Sequence, residues 1–241
     1  MLNKSRGIVF RSMKYSETSV ICDIYTEENG LNSFIVSGVR KKKSKIAPGL
    51  LQIMSLVDIV AYFGEKKKLY RIKEIKSAKV YQEIPFNIFK SAVGQFITEI
   101  SRSCVKESEK NKVLFEFLFE SFVYLDQTKH SLKLFHHSFM LQLSRFVGIE
   151  PNYNYSPNTP FFNIKEGQFE EKKDSLDSLD LENSIFMHTL MKTPIESSHL
   201  LDIPKSNRQI LLNHLIQFYQ YHIENFNTIQ SHKILHEVLE S

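Results

Sequence analysis

Five cations crowd into six residues at Arg40, Lys41, Lys42, Lys43 and Lys45, and the stretch runs out through Ile46-Ala47-Pro48-Gly49, as loops do. Five like charges repel one another, so such a segment is not a packed element. It becomes favourable where a phosphate chain supplies counter-charge and condensed cations are released. Lys66, Lys67 and Lys68 make a second cluster, with Arg71 just beyond it, and these residues complete the candidate phosphate-binding set. Phe34, Tyr62, Phe63 and Tyr70 lie in the same third of the chain. An exposed ring could stack a base; most of the four are expected to fill a core. A charge run also serves simply to keep a surface solvated, and that reading stands beside the functional one.

Catalytic patterns are missing from the sequence. There is no Gly-x-Ser-x-Gly elbow and no Gly-x-x-x-x-Gly-Lys phosphate loop, and 8 glycines leave little from which to build a nucleotide cradle. His232 and His236, spaced i, i+4 beside Glu237, resemble half of a metal site, but no third ligand is evident, so structural histidines are expected. His136 and His137 are adjacent and point to different faces. Cys22 and Cys104 are the whole cysteine complement, which excludes a disulfide framework or cysteine zinc site and fits a reducing cytoplasm. We expect no enzyme activity, no metal and no cofactor. No stretch reaches the roughly 18 consecutive apolar residues of a membrane span, and Met1 to Phe10 lacks a signal-peptide apolar run.

The elements that must position the cations are strands. Ile8-Val9-Phe10 lies in the first, and Ser19 to Thr26 alternates with period two. Glu27-Glu28-Asn29-Gly30 reads as a hairpin connection. Leu31 to Val39, Ile53 to Phe63 and Leu69 to Val80 follow, the last with Leu69, Arg71, Lys73 and Ile75 on one face. Five short strands in about 80 residues suit a small barrel, an OB-fold or an SH3-like one. From Pro85 the period becomes helical: Ile88, Phe89, Ala92, Phe96, Ile97 and Ile100 form one stripe. Val113, Phe117, Leu118, Val123 and Leu125 form a second, and Leu132, Phe135, Phe139, Leu143 and Phe146 a third. A loop at 151–160 precedes a hairpin over 161–170, residues 174–182 read as a helix start or a loop, and two helices close the chain at about 206–226 and 229–239, the first with Ser206 as N-cap. The expected fold is thus α+β: a barrel domain over 1–80, then a helical domain over 81–241 with an insertion at about 151–182. Charge divides in the same place. Residues 1–80 hold 16 Lys/Arg against 7 Asp/Glu, a net of +9, whereas 81–241 hold 15 against 20, a net of −5. A basic first third on an acidic remainder points to a polyanionic partner at one end.

The order of motifs resembles a known family. Gly7-Ile8-Val9-Phe10, Tyr15-Ser16-Glu17-Thr18, Tyr25-Thr26-Glu27-Glu28-Asn29-Gly30 and Ser37-Gly38-Val39-Arg40-Lys41-Lys42-Lys43-Ser44-Lys45, with Leu50-Leu51-Gln52 after it, resemble the opening of the bacterial RecO family. Gly148-Ile149-Glu150-Pro151-Asn152 resembles that family's Gly-x-x-Pro segment. The resemblance implies an N-terminal OB-fold and a helical C-terminal domain. It implies binding of single- and double-stranded DNA without sequence specificity, strand annealing, and a place in the cytoplasm at the nucleoid. It also implies partnership with RecR and with the tail of single-stranded DNA-binding protein, and indirect help to the RecA recombinase; by the residues themselves, a groove between two apolar helices edged by cations such as Lys133 or Arg145 could take an acidic, aromatic tail. Many members carry zinc-holding cysteines after the Gly-x-x-Pro segment. Tyr155-Ser156-Pro157-Asn158-Thr159 has none, so the 161–169 hairpin is expected to be packed by aromatics. A protein-interaction scaffold and an RNA-binding barrel are the alternatives.

Overall fold

The run Ile8-Val9-Phe10 has no polar alternation, so a strand containing it must be covered on both faces. A computed structural model, which describes residues 2–39, 46–63, 69–105, 110–173 and 176–240, places the run in the middle of β1 (Leu2–Lys14). Val9 enters the core of a closed barrel formed with β2 (Val20–Thr26), β3 (Gly30–Val36), β4 (Leu56–Tyr62) and β5 (Tyr70–Lys79). The barrel is filled by Val9, Cys22, Ile24, Phe34, Val36, Val39, Leu51, Val57, Ile59, Ala61 and Ile72. One half of β1 pairs with β4 and the other with β2, both antiparallel. Gly7 sits where the halves meet, and a Cβ there would run 2.6 Å from Ile24 Cγ2, so glycine lets the strands approach.

Closure runs β1-β2-β3-β5-β4 and back to β1, with β3 and β5 parallel through Phe34↔Tyr70 and Ile35↔Arg71. Partners followed around the barrel, Leu2↔Tyr62↔Arg71↔Ile35↔Ile21↔Met13, return to β1 further along than they left it. That stagger is what lets a five-stranded sheet close. This closed five-stranded order is that of an OB-fold.

Strand ends differ from the sequence reading. β3 stops at Val36 rather than Val39, and β4 starts at Leu56 rather than Ile53, because Pro48–Leu51 forms a single 3₁₀ turn and Met54 takes a φ of 75°. The face assigned to Ile75 also changes. Ala61 pairs with Ile72 but Val60 with Glu74, so Lys73 is an extra residue, and Ile75 turns in against the core while Arg71 stays outside.

The chain divides into two compact units, Met1–Asn87 with Val105–Gln127, and Ile88–Cys104 with Thr128–Ser241. The first therefore includes helix α2 (Lys112–Gln127) as well as the barrel. Tyr25 stacks on Phe10 at 5.7 Å and meets the Phe115 ring of α2 at 6.0 Å. The face that α2 buries is Leu114, Phe115, Leu118, Phe119, Phe122 and Leu125, whereas Val113, placed in the apolar stripe by sequence, is exposed. Ten apolar residues within sixteen spread around this helix, so periodicity alone does not single out a face.

The second unit is built on α1 (Ile88–Cys104), whose Val93, Phe96, Ile97 and Ile100 are fully buried, with α3 (Phe135–Phe146), α4 (Leu181–Lys192), α5 (Lys205–His222) and α6 (Ser231–Glu240). Ile88 and Phe89 of the first stripe are exposed. Of the 174–182 stretch, the described residues 176–180 lead into α4, where Asp180 caps by accepting from the Asn183 N–H at 2.8 Å. Ser206 is not a cap: α5 starts one residue earlier behind Pro204. The hairpin appears as β6 (Phe161–Asn163) and β7 (Gln168–Glu170), and its Phe162 and Phe169 pack with Tyr155 and the His188 ring, as expected. Within the 155–159 stretch, Ser156 and Thr159 bond to each other through their hydroxyls at 2.8 Å. Neutral hydroxyls and rings do not fit a zinc site.

His136 and His137 are both buried on α3. His137 Nε2 lies 2.8 Å from the Arg208 carbonyl, and burial pushes its pKa down to about 4; burial pushes His136 down as well. The unfolded chain therefore binds the His137 proton from pH 6.5 downward, while the folded chain resists it until about 4. This contribution to stability is complete above pH 6.5 and declines as the pH falls toward 4, by about 3 kcal/mol. Urea midpoints across that window should fall less steeply for His137→Gln than for the natural chain. Equal slopes would show that the ring does not carry the effect.

Candidate nucleic-acid interface

A barrel offers phosphates the side chains that alternation turns outward and the segments that join its strands. Of the sequence-predicted residues, Arg40, Lys41, Lys42, Lys43, Lys45, Lys66, Lys67 and Lys68 lie outside the described residues. Their anchor points are described. Val39, just before the first cluster, is part of the barrel core, and Ile46, just after it, packs on that core. Phe63 and Tyr70, on either side of the second cluster, pack on it too, their rings 4.9 Å apart and 5.8 and 6.0 Å from Phe34. Both basic segments are thus rooted in one hydrophobic cluster. Phe34, Phe63 and Tyr70 are core rings, as expected of most of the four; Tyr62 is half exposed.

Arg71, the remaining predicted residue, is exposed on β5 between its partners Tyr62 and Ile35. Beside it, Lys4, Lys73 and Lys76 line a groove of about 340 Å³ together with Ile46, Asp58, Ile59, Val60, Glu74 and Ile75. Lys4 was not among the sequence-predicted residues. Its signal was the alternation Leu2, Lys4, Arg6, which becomes informative once β1 is known to pair with β4 through Lys4↔Val60.

Other cations of this unit are engaged by its own carboxylates. Arg6 bonds Glu27 at 3.0 Å and Glu116, with its guanidinium 5.2 and 5.0 Å from the Phe115 and Phe119 ring centroids. These bonds raise the Arg6 pKa and lower that of Glu27. Lys110 and Lys112 both bond Glu28 and hold its carboxyl below the usual range. Arg11 lies 3.6 Å from Asp23. These cations tie α2 and the β2–β3 hairpin to β1; on the side of Lys4, Arg71, Lys73 and Lys76 the four cations outnumber Asp58 and Glu74, which pair with Lys76 and Lys73.

In the second unit, His232, His236 and Glu237 line a cavity of about 440 Å³ with His136, His137, Arg208 and Lys233. His232 Nδ1 faces the Ile229 carbonyl at 2.8 Å. Among the described residues no group of three or more His, Cys, Asp or Glu could hold a metal ion. Arg145, named above as a groove cation, pairs with Glu150 at 3.0 Å. No described helix is long and apolar enough to cross a membrane.

Residues 1–81 match the family described as "Recombination protein O N terminal" and residues 85–228 match "Recombination protein O C terminal". The chain is 32% identical over 242 residues to the DNA repair protein RecO of Bacteroides fragilis, covering 100% of both chains. It is 32% identical over 239 residues to the protein of that name from Phocaeicola vulgatus, covering 99% of both, and 33% identical over 238 residues to that of Flavobacterium johnsoniae, covering 98% of both. These matches, which span the whole chain from the barrel through the helical unit, show that this protein belongs to the RecO family.

Proposed function

We propose that this protein is a DNA repair factor of the recombination pathway, acting without catalysis as a mediator that binds single- and double-stranded DNA irrespective of sequence. It anneals complementary strands and helps load the RecA recombinase onto DNA coated by single-stranded DNA-binding protein. The observation that carries this reading is the convergence of cations on one side of the barrel. Lys4, Arg71, Lys73 and Lys76 lie on the β1–β4–β5 face, and Ile46, at the end of the 40–45 cluster, lines the same groove as three of them. Two strands brought together repel through their phosphates, and a surface that neutralises both lowers that barrier.

The nucleic-acid-binding domain in this reading is 1–80, with Arg40, Lys41, Lys42, Lys43, Lys45, Lys66, Lys67, Lys68 and Arg71 as its phosphate contacts. The helical domain over 81–241 docks RecR and the tail of single-stranded DNA-binding protein. The protein works in the cytoplasm at the nucleoid. Annealing of two complementary oligonucleotides, with and without that partner protein bound to them, tests the reading. Annealing is expected to accelerate at least tenfold in both cases. A rate equal to the spontaneous one would refute it.

A further inference from the structure

Of the four rings nearest the basic clusters, Phe34, Tyr62, Phe63 and Tyr70, one is turned to solvent, and its neighbours say what it is for. Tyr62 is 50% exposed, while Phe34, Phe63 and Tyr70 pack against one another. Its partners across the sheet are Leu2, itself 44% exposed, on one side and Arg71 on the other. A tyrosine ring set between an aliphatic side chain and a guanidinium presents an apolar surface with a positive edge, which suits a base and its phosphate.

Two residues back along the strands, about 7 Å away, Lys4 pairs with Val60 on the same face. Here the groove of about 340 Å³ opens, lined on this face by Lys4, Val60, Lys73 and Lys76 and reaching inward to Ile75 and Ile46 at the core. The extra residue in β5 at Lys73 separates this row from that of Arg71. Charge on the face favours an anion. Asp58 lies 3.6 Å from Lys76 and Glu74 lies 3.4 Å from Lys73, so the two carboxylates are already neutralised, while Lys4 and Arg71 add two further cations.

We propose that the outer face of β1, β4 and β5 is a track for single-stranded DNA, in which Tyr62 stacks one base and Lys4 and Arg71 take the flanking phosphates. This rests on the DNA-binding reading above and adds to it a strand-selective element. The basic segments attract any phosphate chain, but a ring can stack only on a base whose face is uncovered. Tyr62 therefore separates single strands from duplex.

The chain contains no tryptophan, so Tyr62→Trp introduces a unique fluorophore on the track. Addition of oligothymidine should quench its emission in step with the rise in anisotropy of a labelled oligonucleotide. Tyr62→Ala should weaken single-strand binding about tenfold and change duplex binding less than threefold. An abasic oligonucleotide of equal length should bind the natural chain and Tyr62→Ala equally. Anisotropy that rises while the tryptophan emission stays constant would overturn the track and leave DNA binding standing; so would equal losses for single strand, duplex and abasic strand. No anisotropy change at low salt, together with quenching by an acidic peptide, would overturn both readings and assign the face to a protein.

Discussion

Replacing Arg40, Lys42, Lys43 and Lys45 together with alanine should cut affinity for single-stranded DNA at moderate salt on the order of a hundredfold or more, and equally for all sequences. The argument is counterion release. Four to six phosphate contacts on a single strand give a slope of log K against log salt of roughly −3 to −4. Removing four of them should flatten that slope by nearly 3. The fold should persist, because the replaced residues fall between β3 and β4, and Val39 and Ile46, which anchor the segment in the core, are retained. Anisotropy titrations at several salt concentrations check both parts. A natural chain whose binding hardly varies with salt, or a quadruple variant with an unchanged slope, would mean that these cations do not contact phosphates.

Asp126→Ala should destabilise the barrel unit by about 3–5 kcal/mol, the largest single-residue effect expected here. Asp126 lies in the last turn of α2, where the helix dipole disfavours a carboxylate. It is 2% exposed, and its oxygens accept three successive backbone N–H groups, from Gln82 at 2.9 Å, Glu83 at 2.9 Å and Ile84 at 2.9 Å. Such a row of amides forms a cradle for an anion. Alanine would leave all three donors without this acceptor. Asp126→Asn keeps one acceptor oxygen but turns an amide toward the donors, and should cost roughly half as much. Urea unfolding followed by circular dichroism measures both variants. A loss below 1 kcal/mol for alanine would show that water satisfies those amides.

Asp126 also illustrates what could not be read from sequence. Nothing in the sequence near the end of an apolar helix names the donors of such an Asp, and Gln82, Glu83 and Ile84 lie more than forty residues earlier in the chain. The pairing of α2 with the barrel is non-local in the same way. Ile8-Val9-Phe10 announced that β1 needed cover on both sides, but nothing in the spacing of Phe115 or Phe119 said which helix supplied it. Within the interface, clustering at 40–45 and 66–68 was legible because like charges in consecutive positions stand out locally. Lys4 was not, since its relevance depends on a strand partner more than fifty residues away.

Local periodicity and composition determined the five strands, the change to helical period after Pro85 and the charge division. Each of these follows from neighbours within a few positions, where steric preference and repulsion act directly. Tertiary structure decided which ring faces solvent, which cations are taken up by Glu27, Glu28 and Glu116, and where Ile75 turns inward. Those outcomes depend on register and on one extra residue at Lys73, and a one-residue shift in a strand exchanges its inner and outer faces. Alternation along one strand says that two faces exist; closure of the barrel chooses between them.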